Sequence, residues 1–535
     1  MHDFGAFDFI IVGAGSAGCV LANRLSADGR HRVLLLEAGG EDTNPWIHIP
    51  LGYGKLFNDP KVNWLYKTTP QPGLNDRVIN QPRGKVLGGS SSINGLVYIR
   101  GQHEDFDHWR DLGNEGWGAE DVLPYFKKAE DQARGADDWH GQGGPLPVSD
   151  QSEPHPLCDA FIDAAEQAGH PRNPDFNGAR QEGAGYYQTT SRRGLRVSSA
   201  VAYLRPARKR PNLTVVTRAH ATRIRFEGRR AVGMEWSVAG KPFRASAARE
   251  VVLSAGAIGT PQLMQLSGVG PGQLLNQHAI PLVHELTGVG AGLQDHLQVR
   301  MVMRSTRPFT FNDDMSNPLR MALVGLKYAL QRRGPLTVSA GYAGAFLKTD
   351  PSLSLPDSQV HFINFSTTKM GDKLHDFSGF TASACQLRPE SRGTLKIVSP
   401  DPFVAPAIDP NYLATETDRR VTVDGLKVLR DILRQPAIAA LIESEIEPGQ
   451  DCRTDKDLLA YCRAFGSTIY HPTCTARMGS DEGAVVDARL KVHGLSGLRI
   501  ADGSIMPAVL SGNTHAGIVM IAEKAADMIL QDARA

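Results

Sequence analysis

The sequence predicts a mixed α/β and α+β architecture: a Rossmann-type dinucleotide-binding domain joined to a second domain built on a mostly antiparallel sheet with helices. Three observations lead there. A short apolar run at Phe9–Val12 enters a glycine turn and then a helix, with Gly13, Gly15 and Gly18 spaced as G-x-G-x-x-G. The strand–glycine–helix pattern returns far downstream, at Glu250–Gly268 and again at Leu498–Ser504. Between these returns the composition changes, and strand-like runs at Ser358–Ile363 and Gly393–Val398 accompany helices rather than alternate with them.

Taken in order, the opening strand leads into a helix over 19–25 and a second strand over 31–36 that ends at Glu37. The first glycine permits the tight turn, the second lets a pyrophosphate approach the backbone, and the third allows close helix–strand packing. The helix N-terminus offers free N–H groups to that phosphate. Glu37 stands where an acid accepts hydrogen bonds from ribose hydroxyls, which favours a free ribose over a 2′-phosphate but does not separate FAD from NAD. Residues 41–80, with Trp46 and Trp64, read as an irregular loop lying over something, Trp64 being a candidate cofactor neighbour.

The stretch 82–100 concentrates Gly84, Gly88, Gly89 and three serines ahead of Asn94 and an apolar Gly95–Ile99. Such a loop wraps a polar ligand with backbone N–H groups or is an ordinary Gly/Ser loop. A helix running to Gln132, with Pro124 in its first turn, and a scaffold helix at 155–168 follow. His140 reads as a loop residue, and Arg192, Arg193 and Arg196 as partners of acids rather than shapers of a site.

Strands are expected at 213–216, 221–226, 231–236 and 250–255, then a helix at 260–267. Asp295-His296 are given structural roles, because adjacent strand positions point apart. Leu319, Leu323, Leu326 and Leu330 recur at helical spacing within 318–333. That helix reads as a lid or core element, against the competing reading of a membrane-surface helix ending in Lys327, Arg332 and Arg333. Near the C-terminus, Tyr470-His471-Pro472 precedes a strand ending at Asp502-Gly503. Asn513 and His515 then open the final helix, expected from Ile518 to Gln531. His471 taken singly reads as structural or as a base.

The chain has 535 residues, which implies two or more structural units. Its 58 Lys+Arg balance 57 Asp+Glu, which leaves no electrostatic footprint for nucleic acid. Six scattered cysteines have no metal-ligand spacing and read as reduced thiols of a cytoplasmic chain. The early first strand leaves no room for a signal peptide, and no apolar run is long enough to span a membrane.

Four blocks together resemble the glucose–methanol–choline (GMC) oxidoreductases: GAGSAG at 13–18 with Glu37, GKVLGGSSSIN at 84–94, GAIGTPQLMQLSGVG at 256–270, and HP…RMG at 471–479 with GNTHAG at 512–517. Within that family the chain looks like the branch of choline-dehydrogenase-like and aliphatic alcohol dehydrogenases. The resemblance implies FAD and a discontinuous FAD-binding domain (1–150, 196–300 and 481–535) with a substrate domain at 151–195 and 301–480. It implies His471 and Asn513 as the catalytic pair. Flavin or adenosine contacts fall on Gly13, Gly15, Ser16, Ala17, Gly18, Glu37, Ala38, Trp64, Val86, Gly89, Asn94, Gly95, Leu96, Val97, Ala221, Tyr470, Asp502, Gly503, Thr514 and His515. Ile93 stands where some members attach FAD to a histidine, so the FAD is expected to be non-covalent. Cys474 and His515 depart from the usual pattern, His515 adding a titratable group beside the flavin. The expected reaction is oxidation of a primary alcohol, with electrons passed to a quinone or another non-oxygen acceptor. O2 is the competing acceptor and a hydroxynitrile lyase the competing class. Peripheral membrane contact is an open expectation.

Overall fold

The computed structural model describes residues 1–369 and 371–534. Its two large sheets differ in the way the sequence pattern anticipates. The first has seven strands, in the order Leu213–Val216, Val33–Leu36, His2–Val12, Lys241–Leu253, Arg230–Val238 and His220–Glu227, with Leu498–Ile500 also pairing on Lys241–Leu253. The pairings among 213–216, 33–36, 2–12, 241–253 and 498–500 are parallel, and the last two strands add an antiparallel meander. Parallel strands need both faces covered, which is why Ile10, Ile11 and Val33–Leu35 are continuous apolar runs with no exposed surface. The helices Ser16–Leu25 and His515–Asp532 pack together on this sheet, tied by Arg24 and Glu523 at 2.7 Å.

The second sheet is antiparallel throughout: Ile442–Glu447, Leu297–Ser305, Gly379–Gln386, Ser358–Ile363, Ala343–Leu347 and Gly183–Tyr186, with Ser467–Thr468 on Leu297–Ser305. Helices Pro156–Gln167 and Glu416–Leu433 pack against one face and bury Phe161, Leu426 and Leu429 with Phe362 and Phe380. The opposite face, towards the first sheet, carries the polar side chains described below.

Several expectations need correction. The helix expected to run to Gln132 spans Ala119–Ala129, and Pro124 lies inside it, past the first turn; residues 130–132 form a strand instead. Gly393–Lys396 joins a separate three-stranded sheet with Ala291–Leu293 and Ala407–Asp409, not the large one. The final helix starts at His515, three residues earlier than expected. His140 does lie in a loop, where it is buried between Glu130 and Asp175, and although burial opposes its charge, those two carboxylates hold its pKa up at about 9.

The largest departure concerns Pro318–Gln331. Its apolar stripe faces solvent: Leu319, Leu323, Leu326 and Leu330 are 77%, 64%, 54% and 74% exposed. A helix filling a core would hide that stripe. Only Val324 and Tyr328 face inward, towards Phe311, Ile363 and Phe365 and towards Gly194.

Candidate active site

The glycine turn is held open by contacts that leave no space for side chains. Gly13 has φ +98°, and a Cβ there would lie 2.6 Å from the carbonyl oxygen of Ser254. At Gly18 a Cβ would meet the Gly13 oxygen at 1.8 Å, so helix and strand touch backbone to backbone. A cavity of about 180 Å³ opens in front of this turn. Gly13, Gly15, Ser16, Ala17, Glu37, Ala38, Trp64, Gly89, Ala221, Asp502, Gly503 and Thr514 line it. A second cavity of about 160 Å³ continues from it, sharing Ser16, Arg83, Ser90, Thr514 and Ile518. Asn94, Gly95, Leu96, Val97, Tyr470, His471, Asn513 and His515 line the second. Of the predicted residues, only Gly18 and Val86 stand off both walls: Gly18 serves packing, and Val86 is buried with Ile47, Leu56, Val62 and Ile93.

The two chambers suit an elongated dinucleotide, one chamber at the glycine turn and the other over the His471 loop. The side chains at the first are already engaged. Glu37 accepts from the Ala14 and Gly39 amides at 2.9 and 2.8 Å, tying the strand end to the turn. Burial pushes its pKa up to about 7 against those amides and Lys85. Each oxygen keeps a lone pair for a ribose hydroxyl. Asp502 accepts from Gly256 N, Thr260 Oγ1, Ser504 N and Ser504 Oγ. Its carboxylate therefore joins its own turn at 502–504 to the start of the helix Gly256–Leu266, and the groups free to meet a ligand there are backbone ones. Arg196 pairs with no acid, contrary to expectation. Its buried guanidinium donates to the carbonyls of Ile47, Ser91 and Pro50 and to Asn94 Oδ1, so it shapes the loop at 91–97. Arg192 does pair with an acid, Asp131.

The proton positions around His471 follow from one carbonyl. The Leu387 oxygen can only accept, so His296 donates to it from Nε2, at 2.9 Å. His296 Nδ1 is then an acceptor, and at 3.0 Å it takes the proton of His471 Nδ1. His471 Nε2 is left with a lone pair facing the cavity. Asn513 is oriented by the same logic. Gln359 Nε2 donates to Asn513 Oδ1 at 3.2 Å, so the Asn513 amide N–H points at His471 Nε2, 3.3 Å away. Burial drives the His471 pKa well below the ordinary histidine value, with further lowering from His296, His361 and Arg83, so the ring is neutral at pH 7.

Sequence reasoning missed His296 and His361. Asp295 and His296 do point apart, as expected of neighbours, but the bend at His471 meets both. Asp295 Oδ1 accepts from the His471 backbone N–H at 2.8 Å, and His296 holds the ring. His361 lines the cavity with neither ring nitrogen hydrogen-bonded, and burial lowers its pKa to about 4. A histidine in an otherwise apolar strand was the one available signal. Burial likewise lowers the His515 pKa to about 4, with Arg196 adding to it, so His515 does not titrate near neutrality; its Nε2 meets Ser199 Oγ at 3.2 Å. Cys474 is buried, lines neither cavity, and meets Gln294 Oε1 at 3.3 Å. No described group of His, Cys, Asp and Glu side chains is arranged to hold a metal.

Comparison with known proteins matches these features. Residues 7–298 match the N-terminal and residues 389–522 the C-terminal family model of the GMC oxidoreductases. The chain is 45% identical over 529 residues to an alcohol dehydrogenase (acceptor) of Pseudomonas putida, covering 98% of this chain and 96% of that one. It is 44% identical over 532 residues to the mitochondrial choline dehydrogenase of Mus musculus, covering 98% and 89%. Among solved structures it superposes on pyridoxine 4-oxidase from Mesorbium loti with a TM-score of 0.89 at 32% identity, over 97% of this chain and 98% of that one. With both family halves present and near-complete coverage of these relatives, the chain belongs to the GMC oxidoreductases, FAD-dependent enzymes acting on CH–OH donors.

Proposed function

We propose that this protein oxidises a primary alcohol to its aldehyde, with His471 as the base and Asn513 as the hydrogen-bond donor to the substrate oxygen. The observation that carries the proposal is the fixed tautomer: His296 holds the His471 Nδ1 proton and leaves Nε2 bare in the cavity, beside the Asn513 amide. An alcohol bound there gives its hydroxyl proton to Nε2, while the amide N–H steadies the oxygen as charge grows on it. FAD, when bound, supplies the acceptor for the hydride that leaves the carbinol carbon. The buried, neutral imidazole needs no prior loss of a proton at pH 7. We further propose that the FAD is held without a covalent bond, since Ile93 on the cavity wall offers no nucleophile. The acceptor after FAD is read as quinone-like, because relatives at 45% and 44% identity are named as dehydrogenases, one of them with the general word acceptor. Oxidases among the related structures keep O2 as the competing reading.

The test is an anaerobic panel of alcohols followed by flavin absorbance, repeated in air with a peroxide assay. Bleaching by an alcohol excludes a purely lyase role, and peroxide formed one-for-one with aldehyde selects the oxidase. His471→Ala should slow bleaching ~10²- to 10⁴-fold and leave the oxidised flavin spectrum intact. An unchanged rate removes His471 from proton transfer.

The exposed helix supports a further element of the reading, peripheral contact of a cytoplasmic chain with an anionic bilayer. No described helix is long and apolar enough to cross a membrane. The Pro318–Gln331 helix instead presents four leucines outward, flanked by exposed Arg320, Arg332 and Arg333, the pairing of apolar stripe and cations that suits an anionic interface. Its inner residue Val324 packs with Ile363, a wall residue of the catalytic cavity, so a bilayer there lies one layer from the site. Leu323→Glu with Leu326→Glu should abolish co-sedimentation with phosphatidylglycerol vesicles; retained binding refutes the assignment.

A further inference from the structure

The wall of the catalytic cavity opposite the glycine turn is one face of the antiparallel sheet. Gln298 and Arg300 come from Leu297–Ser305, Thr381 and Ser383 from Gly379–Gln386, and His361 from Ser358–Ile363. Register fixes their order. Arg300 pairs with Ser383 and Ser383 with His361, so these three form a row across adjacent strands. Strands lie about 4.8 Å apart, which sets the Arg300 backbone roughly 10 Å from that of His361. His361 in turn lines the same cavity as His471, close enough that a charge on one ring would disfavour a charge on the other. The row therefore starts beside the proton acceptor and ends at a cation.

That cation has no partner. Among the described residues no carboxylate oxygen lies within 4.0 Å of the Arg300 guanidinium, and it makes no hydrogen bond to protein. Every other arginine reaching this cavity is spoken for: Arg83 donates to the carbonyls of Pro82 and Tyr470. Two further polar groups lining the cavity are also unbonded among the described residues: the Gln298 amide, on the same strand as Arg300, and the buried Tyr53 hydroxyl, from the helix Tyr53–Leu56. No aspartate or glutamate lines the cavity at all. Asp295, the nearest acid to His471 in the network, is sealed behind it by Gln81, Tyr412, Thr468 and the His471 amide. An unpaired guanidinium, beside an amide and a hydroxyl that can each donate, is satisfied by a ligand that brings acceptors.

We propose that Arg300, with Tyr53 and Gln298, forms a subsite for a carboxylate at the far end of the substrate, so that the preferred alcohols are short-chain hydroxy acids. This assignment rests on the alcohol-oxidation reading above and deepens it. It also makes choline a poor substrate for this chain. A quaternary ammonium brought into this cavity meets a guanidinium of its own sign, with no carboxylate to offset it.

The test compares holoenzyme kinetics for 4-hydroxybutanoate, 1-butanol and choline. A carboxylate held by a charge-assisted pair should favour 4-hydroxybutanoate over 1-butanol by 10- to 100-fold in kcat/KM, with choline last. Arg300→Met should remove most of that preference through KM, with a smaller effect on kcat. Arg300→Glu should reverse the order and bring choline ahead of the acid. The flavin spectrum of each variant establishes that it folds and carries FAD. Equal kcat/KM for acid and alcohol in the wild type, or equal loss for both in Arg300→Met, overturns the subsite. Butanoate, which cannot be oxidised, separates the two readings. If it perturbs the wild-type flavin spectrum but not that of Arg300→Met while no alcohol bleaches the flavin, the subsite stands as an anion site and the oxidation reading falls. If alcohols bleach the flavin and butanoate leaves the spectrum unmoved, the subsite falls alone.

Discussion

Replacing His296 by leucine tests the proton arrangement at its root. In the native site the His471 Nδ1 proton is accepted by His296 Nδ1 at 3.0 Å, in a position with no solvent access. Leucine cannot accept it. The buried N–H then lacks a partner, which costs about 1–3 kcal/mol. The imidazole avoids that cost by moving its proton to Nε2, where the base should be. Reaching the reactive tautomer from there requires the same energy, so alcohol-driven flavin reduction should fall about 10- to 100-fold. Stopped-flow reduction under anaerobic conditions, with saturating alcohol, measures this directly. His296→Gln retains a carbonyl acceptor at similar reach and should recover part of the loss. A merely structural role would instead release FAD or shift the melting temperature in both variants alike. A His296→Leu enzyme that reduces at the wild-type rate refutes the fixed-tautomer argument.

Two other perturbations follow from the same coordinates. Gly18→Ala places a Cβ 1.8 Å from the Gly13 carbonyl oxygen, where backbone on both sides prevents relief; a fall in bound FAD per protein and a lower melting temperature are expected, and a fully loaded variant refutes the packing assignment. His361 and His515 are held neutral to about pH 4, against 6.5 when unfolded. Above pH 6.5 neither state binds the proton. Below it the unfolded chain does and the folded one does not, so stability falls as pH drops, by up to ~1.4 kcal/mol per unit for each ring. Urea midpoints of the FAD-free protein should therefore drop between pH 7 and pH 5, and the drop should shrink in His361→Gln; parallel behaviour of the two proteins counts against it.

The sequence carried the dinucleotide frame well, because each part of it is local. Phe9–Val12, the glycines and the following helix fall within a few turns of chain, and period and spacing suffice to read them. The final helix was legible for the same reason, though its start fell at His515 rather than at Ile518. The partners of His471 were not legible in this way. His296 lies 175 residues from it in sequence, and only the crossing of the two loops brings the rings together. Arg300 shows the same limit: an arginine in a strand is normally read as solvent-facing, and its place on a cavity wall depends on what covers that face of the sheet. The helix at 318–331 shows the converse. Its periodicity was plain, but periodicity says only that one face is apolar, not what meets it.

The parallel sheet is stitched from stretches at 2–36, 213–253 and 498–500, so its earliest strand meets its second neighbour only when Lys241–Leu253 is made, and that strand meets Leu498–Ile500 only near the end of the chain. At ordinary translation rates each of these two intervals is about 10 to 50 seconds. During the first, the apolar edge of His2–Val12 waits without Lys241–Leu253; during the second, Lys241–Leu253 waits without Leu498–Ile500. Because the last strand and the final helix complete this sheet and its cover, a truncation of even the last few dozen residues should leave an insoluble chain rather than a smaller working enzyme.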